Sequence, residues 1–96
     1  MATIDIRRAH NFDKPTAKEK AESLAKAMHE KLNLEYRWDG DSIRFEADKG
    51  PAKGVKGTVA VNERDVHVAV DLPFLLRALK GKIESRITEK LDEVMA

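Results

Sequence analysis

The stretch "LEYRWDGDSIRFEA", residues 34–47, constrains what this chain can fold into more than any other. Leu34, Tyr36 and Trp38 alternate with Glu35, Arg37 and Asp39, and Ile43, Phe45 and Ala47 alternate with Arg44 and Glu46. Alternation at a period of two is the mark of an extended strand with one buried and one wet face. Asp39-Gly40 between the two runs predicts a type I′ hairpin turn, whose two central residues both take positive φ. An even loop keeps the two apolar sets on the same face.

The rest of the chain follows from the same rule. "TIDIRR" puts Ile4 and Ile6 on one side and Asp5 and Arg7 on the other, a first strand. "NFDKPT" then carries helix-start signals: Asp13 can cap, Pro15 suits a first turn and Phe12 can staple onto Ala17, while Thr16 with Glu19 forms a competing capping box. Ala17, Ala21, Leu24, Ala25, Met28 and Leu32 then recur on one helical stripe, which predicts a helix over residues 14–32. After the glycine-rich loop "DKGPAKGVKG", Val55, Val59 and Val61 share a face with Val66, Val68, Val70 and Leu72 across the tight turn "NERD". Pro73 stops the last strand and opens a second long helix. The expected order is β-α-β-β-β-β-α: an antiparallel sheet of about five strands with two helices on one face. That is a two-layer α+β sandwich spanning residues 1–96 as one domain.

Composition narrows the function classes. Charged residues make up 36% and hydrophobic ones 42%, which suits a soluble globular chain. No run approaches the ~20 apolar residues that span a bilayer, and "MATIDIRRAHNF" has no apolar signal core, so a cytoplasmic location is expected. A formal charge of +1 gives no global field for nucleic acid. The predicted wet face of the sheet mixes both signs without interleaved aromatics, so it is read as solvated. Cysteine is absent, which removes disulfide and thiolate chemistry.

Catalytic and cofactor motifs do not assemble. His10, His29 and His67 belong to no Ser-His-Asp set with Ser23, Ser42 or Ser85 and to no zinc pair, so all three are read as surface residues. "DGDSIRFE" lacks the ligands of an EF-hand, and its aspartates are explained by turn chemistry. "GPAKGVKGT" has the wrong order for a P-loop and runs into a strand. "GVKG" matches a KH loop, but that loop joins two helices. No enzyme, metal or cofactor is expected.

The second helix poses the open question. On a helical wheel Leu76, Leu79, Ile83, Ile87, Leu91 and Val94 form one core stripe. Phe74, Ala78, Gly81 and Ser85 fall opposite, with Leu75 at the stripe's edge and charges on both flanks. Two readings stay open. Either Phe74 turns into the core and the small residues are incidental, or Phe74, Leu75, Ala78, Gly81 and Ser85 form a partner-contact face. A separate possibility is an apolar ligand cleft lined by Tyr36, Trp38 and Phe45, by analogy with helix-grip proteins.

"IDIRRAH", "LEYRWDGDSIRFEA", "AKGVKGTVAV" and "VDLPFLLRALKGKIESRITEKLDEVM" together resemble the polyhydroxyalkanoic acid (PHA) system family, a group of small bacterial proteins also called the PHA granule region family. The resemblance implies a setting among genes that make, store or use polyhydroxyalkanoates. It implies an accessory role at intracellular polyester granules, with the granule surface or granule proteins as partners, and the Phe74, Leu75, Ala78, Gly81 and Ser85 side of the second helix offers a face for self-association as a homodimer. It supplies no catalytic residues. Phasins, which are long, helical and alanine-rich, differ from this strand-rich pattern. The alternative function is a carrier of acyl or hydroxyacyl ligands.

Overall fold

The computed structural model describes residues 3–50 and 52–95; Met1, Ala2, Ala96 and Pro51 of the glycine-rich loop lie outside the described residues. The elements are β1 (Ile4–Ala9), α1 (Lys14–Leu32), β2 (Glu35–Asp39), β3 (Ser42–Glu46), β4 (Lys56–Val61), β5 (Asp65–Asp71), a 3-10 helix (Phe74–Leu79) and α2 (Lys80–Val94). The strands form one antiparallel sheet in the order β1-β5-β4-β3-β2. Both helices lie on one face, giving the α+β order that the sequence predicts. α1 packs over β2, β3 and β4, and α2 packs beside α1 over the edge strand β1.

Local chemistry sets the boundaries. Asp13 wins the capping competition: its Oδ1 accepts from the Thr16 amide at 3.0 Å, with Pro15 in the first turn. Asn33 closes α1 in the left-handed region at φ 57°, donating its amide to the His29 carbonyl. Leu32 is exposed and leaves the predicted stripe, while Leu34 enters the core. The alanines Ala17, Ala21 and Ala25 are buried against the sheet, where their small volume lets α1 approach closely.

The hairpin departs from the predicted turn by one residue. Asp39 pairs with Ser42, so the central residues are Gly40 and Asp41, and Gly40 alone has positive φ (63°). That is the type II′ preference for glycine at the first central position. The predicted turn would have set Trp38 opposite Asp41. The observed register sets Trp38 opposite Ile43 and Tyr36 opposite Phe45, so Trp38 gains an apolar partner and Tyr36 keeps one. The loop is still even, and both apolar sets still face the helices.

The core runs through Ile4, Leu24, Leu34, Ile43, Val59, Val61, Val66, Val68, Val70 and Leu91, all nearly inaccessible. One glycine is essential to it. A Cβ built on Gly57 would lie 2.5 Å from the Ala69 carbonyl oxygen and 2.5 Å from Cζ of Phe45, whose ring occupies that space. At the far end of β1, core-facing Arg8 meets Asp92 of α2 at 3.3 Å, an ion contact without hydrogen-bond alignment.

Gly57→Ala should therefore lower stability by about 1–3 kcal/mol through overpacking. Gly81→Ala, with open space around its Cβ, should raise it by about 1 kcal/mol. Urea denaturation of both variants checks the opposite signs, and an unshifted midpoint for Gly57→Ala would refute the close packing.

Candidate functional site: an exposed arm ahead of the second helix

The helical wheel fails at the start of the second helix. Pro73 ends β5 without offering a side-chain cap, and the first hydrogen bond runs from the Leu76 amide to the Pro73 carbonyl at 2.9 Å. The chain thus begins as a 3-10 helix with three residues per turn. This period places Leu75 above Ala78 and Phe74 above Arg77. The predicted strip is corrected accordingly: Leu75, not Phe74, aligns with Ala78 at its head. Gly81 and Ser85 follow one turn apart on α2.

Burial answers the open question about Phe74. Phe74 is 82% exposed, Leu75 85% and Leu79 48%. Ala78, Gly81 and Ser85 are exposed as well. Leu79, assigned to the core stripe by the wheel, lies outside it because no strand sits beneath this part of the helix. Only from Ile87 onward does α2 bury side chains fully, through Ile87 and Leu91, and Met95 joins them past its end. Residues 74–86 therefore form an arm in which only Leu76, Ile83 and Glu84 are even half-buried. Its base is braced by the loop before β4: a Cβ on Gly54, which has φ 94°, would lie 3.1 Å from the Pro73 ring. Arg77 Nε also donates to the Leu72 carbonyl at 3.4 Å.

The alternative cleft residues sit elsewhere, on the edge of the sheet beside α1. Phe45 is buried over Gly57. Trp38 is half-buried, its indole N–H donating to Glu22 Oε1 at 2.9 Å, with Lys18 Nζ 5.0 Å from its ring. Tyr36 meets His29 edge-on at 6.4 Å. The three rings are thus engaged with one another's neighbours and with α1. A hollow of about 360 Å³ is lined by Tyr36 and Phe45 but rimmed by Glu35, Arg37, Arg44, Glu46, Lys56 and Asp71, acids and bases in equal number, and Trp38 lines a separate one with Lys18, Glu19 and Glu22.

The histidines hold structural positions. His10, read from sequence as a surface residue, is buried: Nε2 donates to the Asn62 carbonyl at 3.0 Å while Nδ1 accepts from the Phe12 amide at 3.2 Å. Its side chain thereby ties the β1 exit to the β4–β5 turn. His29 Nδ1 lies 2.7 Å from the Leu34 carbonyl, and His67 Nε2 lies 2.6 Å from Asp5 Oδ1 on the sheet's uncovered face. Sequence reasoning missed the burial of His10 because the alternation ends one residue before it. Among the described residues no three His, Asp or Glu side chains gather as a metal site.

A family model for polyhydroxyalkanoic acid (PHA) system proteins matches residues 4–95. The chain belongs to this family. The match runs from β1 to the end of α2 and includes the arm of this PHA-system protein. No curated protein and no solved structure matches the chain.

The remaining charge cluster joins the hairpin turn to α1. Lys14 stands in the first turn of α1, where the helix dipole disfavours a cation. Asp41 offsets this, at 2.6 Å from Lys14 and 3.3 Å from Lys18. The hydrogen bond from Lys14, followed by that from Lys18, holds the Asp41 carboxyl below its usual value, and the same contact raises the Lys14 ammonium. A depressed carboxylate contributes stability above its unfolded pKa of about 3.9, and that stability is lost as pH falls through the folded value. A raised ammonium loses its contribution only as pH climbs past about 10.4. Asp41→Asn should therefore be less stable than the parent from about pH 5 to pH 9, with the difference closing below about pH 4. Thermal melts of both proteins across that range test it, and a pH-independent difference would reject the ion-pair origin.

Proposed function

We propose that this PHA-system protein is a non-enzymatic accessory of polyhydroxyalkanoate storage that works by binding at the granule surface or to a granule protein. The observation that carries the reading is the arm. Two large apolar side chains, Phe74 and Leu75, stand more than four-fifths exposed beside exposed Ala78, Gly81 and Ser85. A chain that leaves so much apolar surface in water in one place gains free energy by covering it. The family membership supplies the setting, polyester storage, in which apolar surface is plentiful.

A binding role also accords with the side chains that catalysis would draw on. Each histidine ring is held by a partner that fixes the fold, and Ser23 Oγ donates back to the Glu19 carbonyl at 3.3 Å. The carrier reading has less support, because the Phe45 ring fills the space over Gly57 and Trp38 is bonded to Glu22.

Co-sedimentation of the purified protein with isolated polyester granules, beside matched apolar beads, tests the proposal. Selective binding to granules is expected. Ala78→Glu and Leu75→Asp should each keep the parent melting temperature and weaken binding. Removing one buried leucine contact is worth about 1.5–3 kcal/mol, roughly tenfold to a hundredfold in affinity. Equal retention on beads and granules, or full granule binding by both variants, would overturn it.

A further inference from the structure

We infer that the arm docks on an anionic lipid surface, lying in the interface without crossing it. The inference rests on the arm being the contact surface proposed above and adds the chemistry of what it meets.

The first observation is charge. Between Asp71 and Glu84 the sequence "LPFLLRALKGKI" carries Arg77, Lys80 and Lys82 and no acidic residue. All three cations are exposed, and among the described residues none has an ion-pair partner. A chain of net charge +1 thus concentrates three unpaired positive charges on its most apolar exposed segment. Two copies meeting arm to arm would bring six cations together, so a second copy is disfavoured as the occupant. An anionic partner is favoured.

The second observation is how the apolar groups are distributed. With three residues per turn, Phe74, Leu75 and the pair Leu76 and Leu79 project in three different directions around the 3-10 axis. Leu76 is half-buried toward the core, while the other three are exposed. A protein groove reads one stripe of a helix. A segment that is apolar in several directions fits a fluid apolar phase, which takes every side chain at once. Lying in the interface plane, the six residues span about 12 Å at ~2 Å each, and interfacial segments bury their apolar side chains ~5–10 Å deep. Lys80 and Lys82 follow on the first turn of α2, placed to remain at headgroup level by snorkelling. Among the described residues no helix is long and apolar enough to cross a membrane.

The test is sedimentation of the full chain with vesicles of phosphatidylcholine alone and of phosphatidylcholine mixed with phosphatidylglycerol. Each cation near an anionic surface is worth about fivefold, so the mixed vesicles should bind about a hundredfold more tightly. That preference should shrink as salt rises toward 1 M, where the screening length falls to ~3 Å. The double variant Lys80→Glu/Lys82→Glu should lose the preference without a change in melting temperature, and Leu75→Asp should lose binding to both vesicles. Equal binding to the two vesicle types, no binding to the anionic ones, or equally tight salt-sensitive binding to polyglutamate would overturn the inference. A lipid-free polyester film separates the two readings. Binding to film but not to vesicles sinks the lipid inference and leaves the granule reading standing, whereas binding to vesicles but not to granules does the reverse.

Discussion

A sheet with one apolar face must be covered, and the width of that face governs everything else in this molecule. Five strands spaced ~4.8 Å apart put about 19 Å between the outermost backbones, roughly the width of two helices at ~10 Å each. One helix would leave half of the valine ladder wet. α1 covers β2 to β4, and α2 is drawn to the remaining strip at β1. The alanine face of α1 follows from the same demand. Ala17, Ala21 and Ala25 let the helix settle low enough for Ile43, Val59 and Val68 to be fully enclosed, and Gly57 makes room for the Phe45 ring beneath it.

The arm is the length mismatch of that arrangement. The longest strand has seven residues, about 23 Å at ~3.3 Å each. The 3-10 helix and α2 have six and fifteen residues, about 12 Å and 22 Å at ~2.0 and ~1.5 Å per residue. Some 34 Å of helix cannot be seated on 23 Å of sheet. The end anchored through Ile87, Leu91, Met95 and the Arg8–Asp92 contact is seated, and the end near Pro73 is not. Leu76 and Ile83 still pack partly against the core, whereas Phe74, Leu75 and Leu79 are left exposed. Exposed apolar side chains at three consecutive directions of this segment depart from ordinary core patterning.

The strands were legible because a period of two is set by backbone geometry and survives any tertiary context; Val55 to Leu72 landed on the predicted face residue by residue. The start of α1 was legible as a set of candidates, and geometry chose Asp13. The hairpin turn was misplaced by one position because both placements keep the same parity, and only the pairing of Trp38 with Ile43 distinguishes them. The head of the second helix was misread for a deeper reason. A wheel at 3.6 residues per turn presumes an α-helix with a partner surface along its whole length. Pro73 supplied no cap and the sheet supplied no surface, so the 3-10 form prevailed and Leu79 left the core. The residues of the candidate face could be named from sequence, but the exposure of Phe74 and the alignment of Leu75 with Ala78 could not.

The sheet's uncovered face and the arm differ in what they offer a partner. On the uncovered face Glu35 lies opposite Glu46 and Arg37 opposite Arg44, like charges that destabilise adjacent strands unless neighbours compensate. Arg44 is compensated by Asp39 at 3.0 Å, and farther across the same face Arg7 reaches Asp65 at 3.7 Å and His67 reaches Asp5 at 2.6 Å. A partner docking there would have to strip water from a dense mixture of charges of both signs, gaining little in return. At the arm the balance is reversed. Phe74, Leu75 and Leu79 lose nothing by leaving water, and Arg77, Lys80 and Lys82 have no internal anion to surrender among the described residues. The sheet holds the protein together by satisfying its own charges. The arm leaves Phe74, Leu75 and Leu79 exposed beside three cations without an ion-pair partner among the described residues.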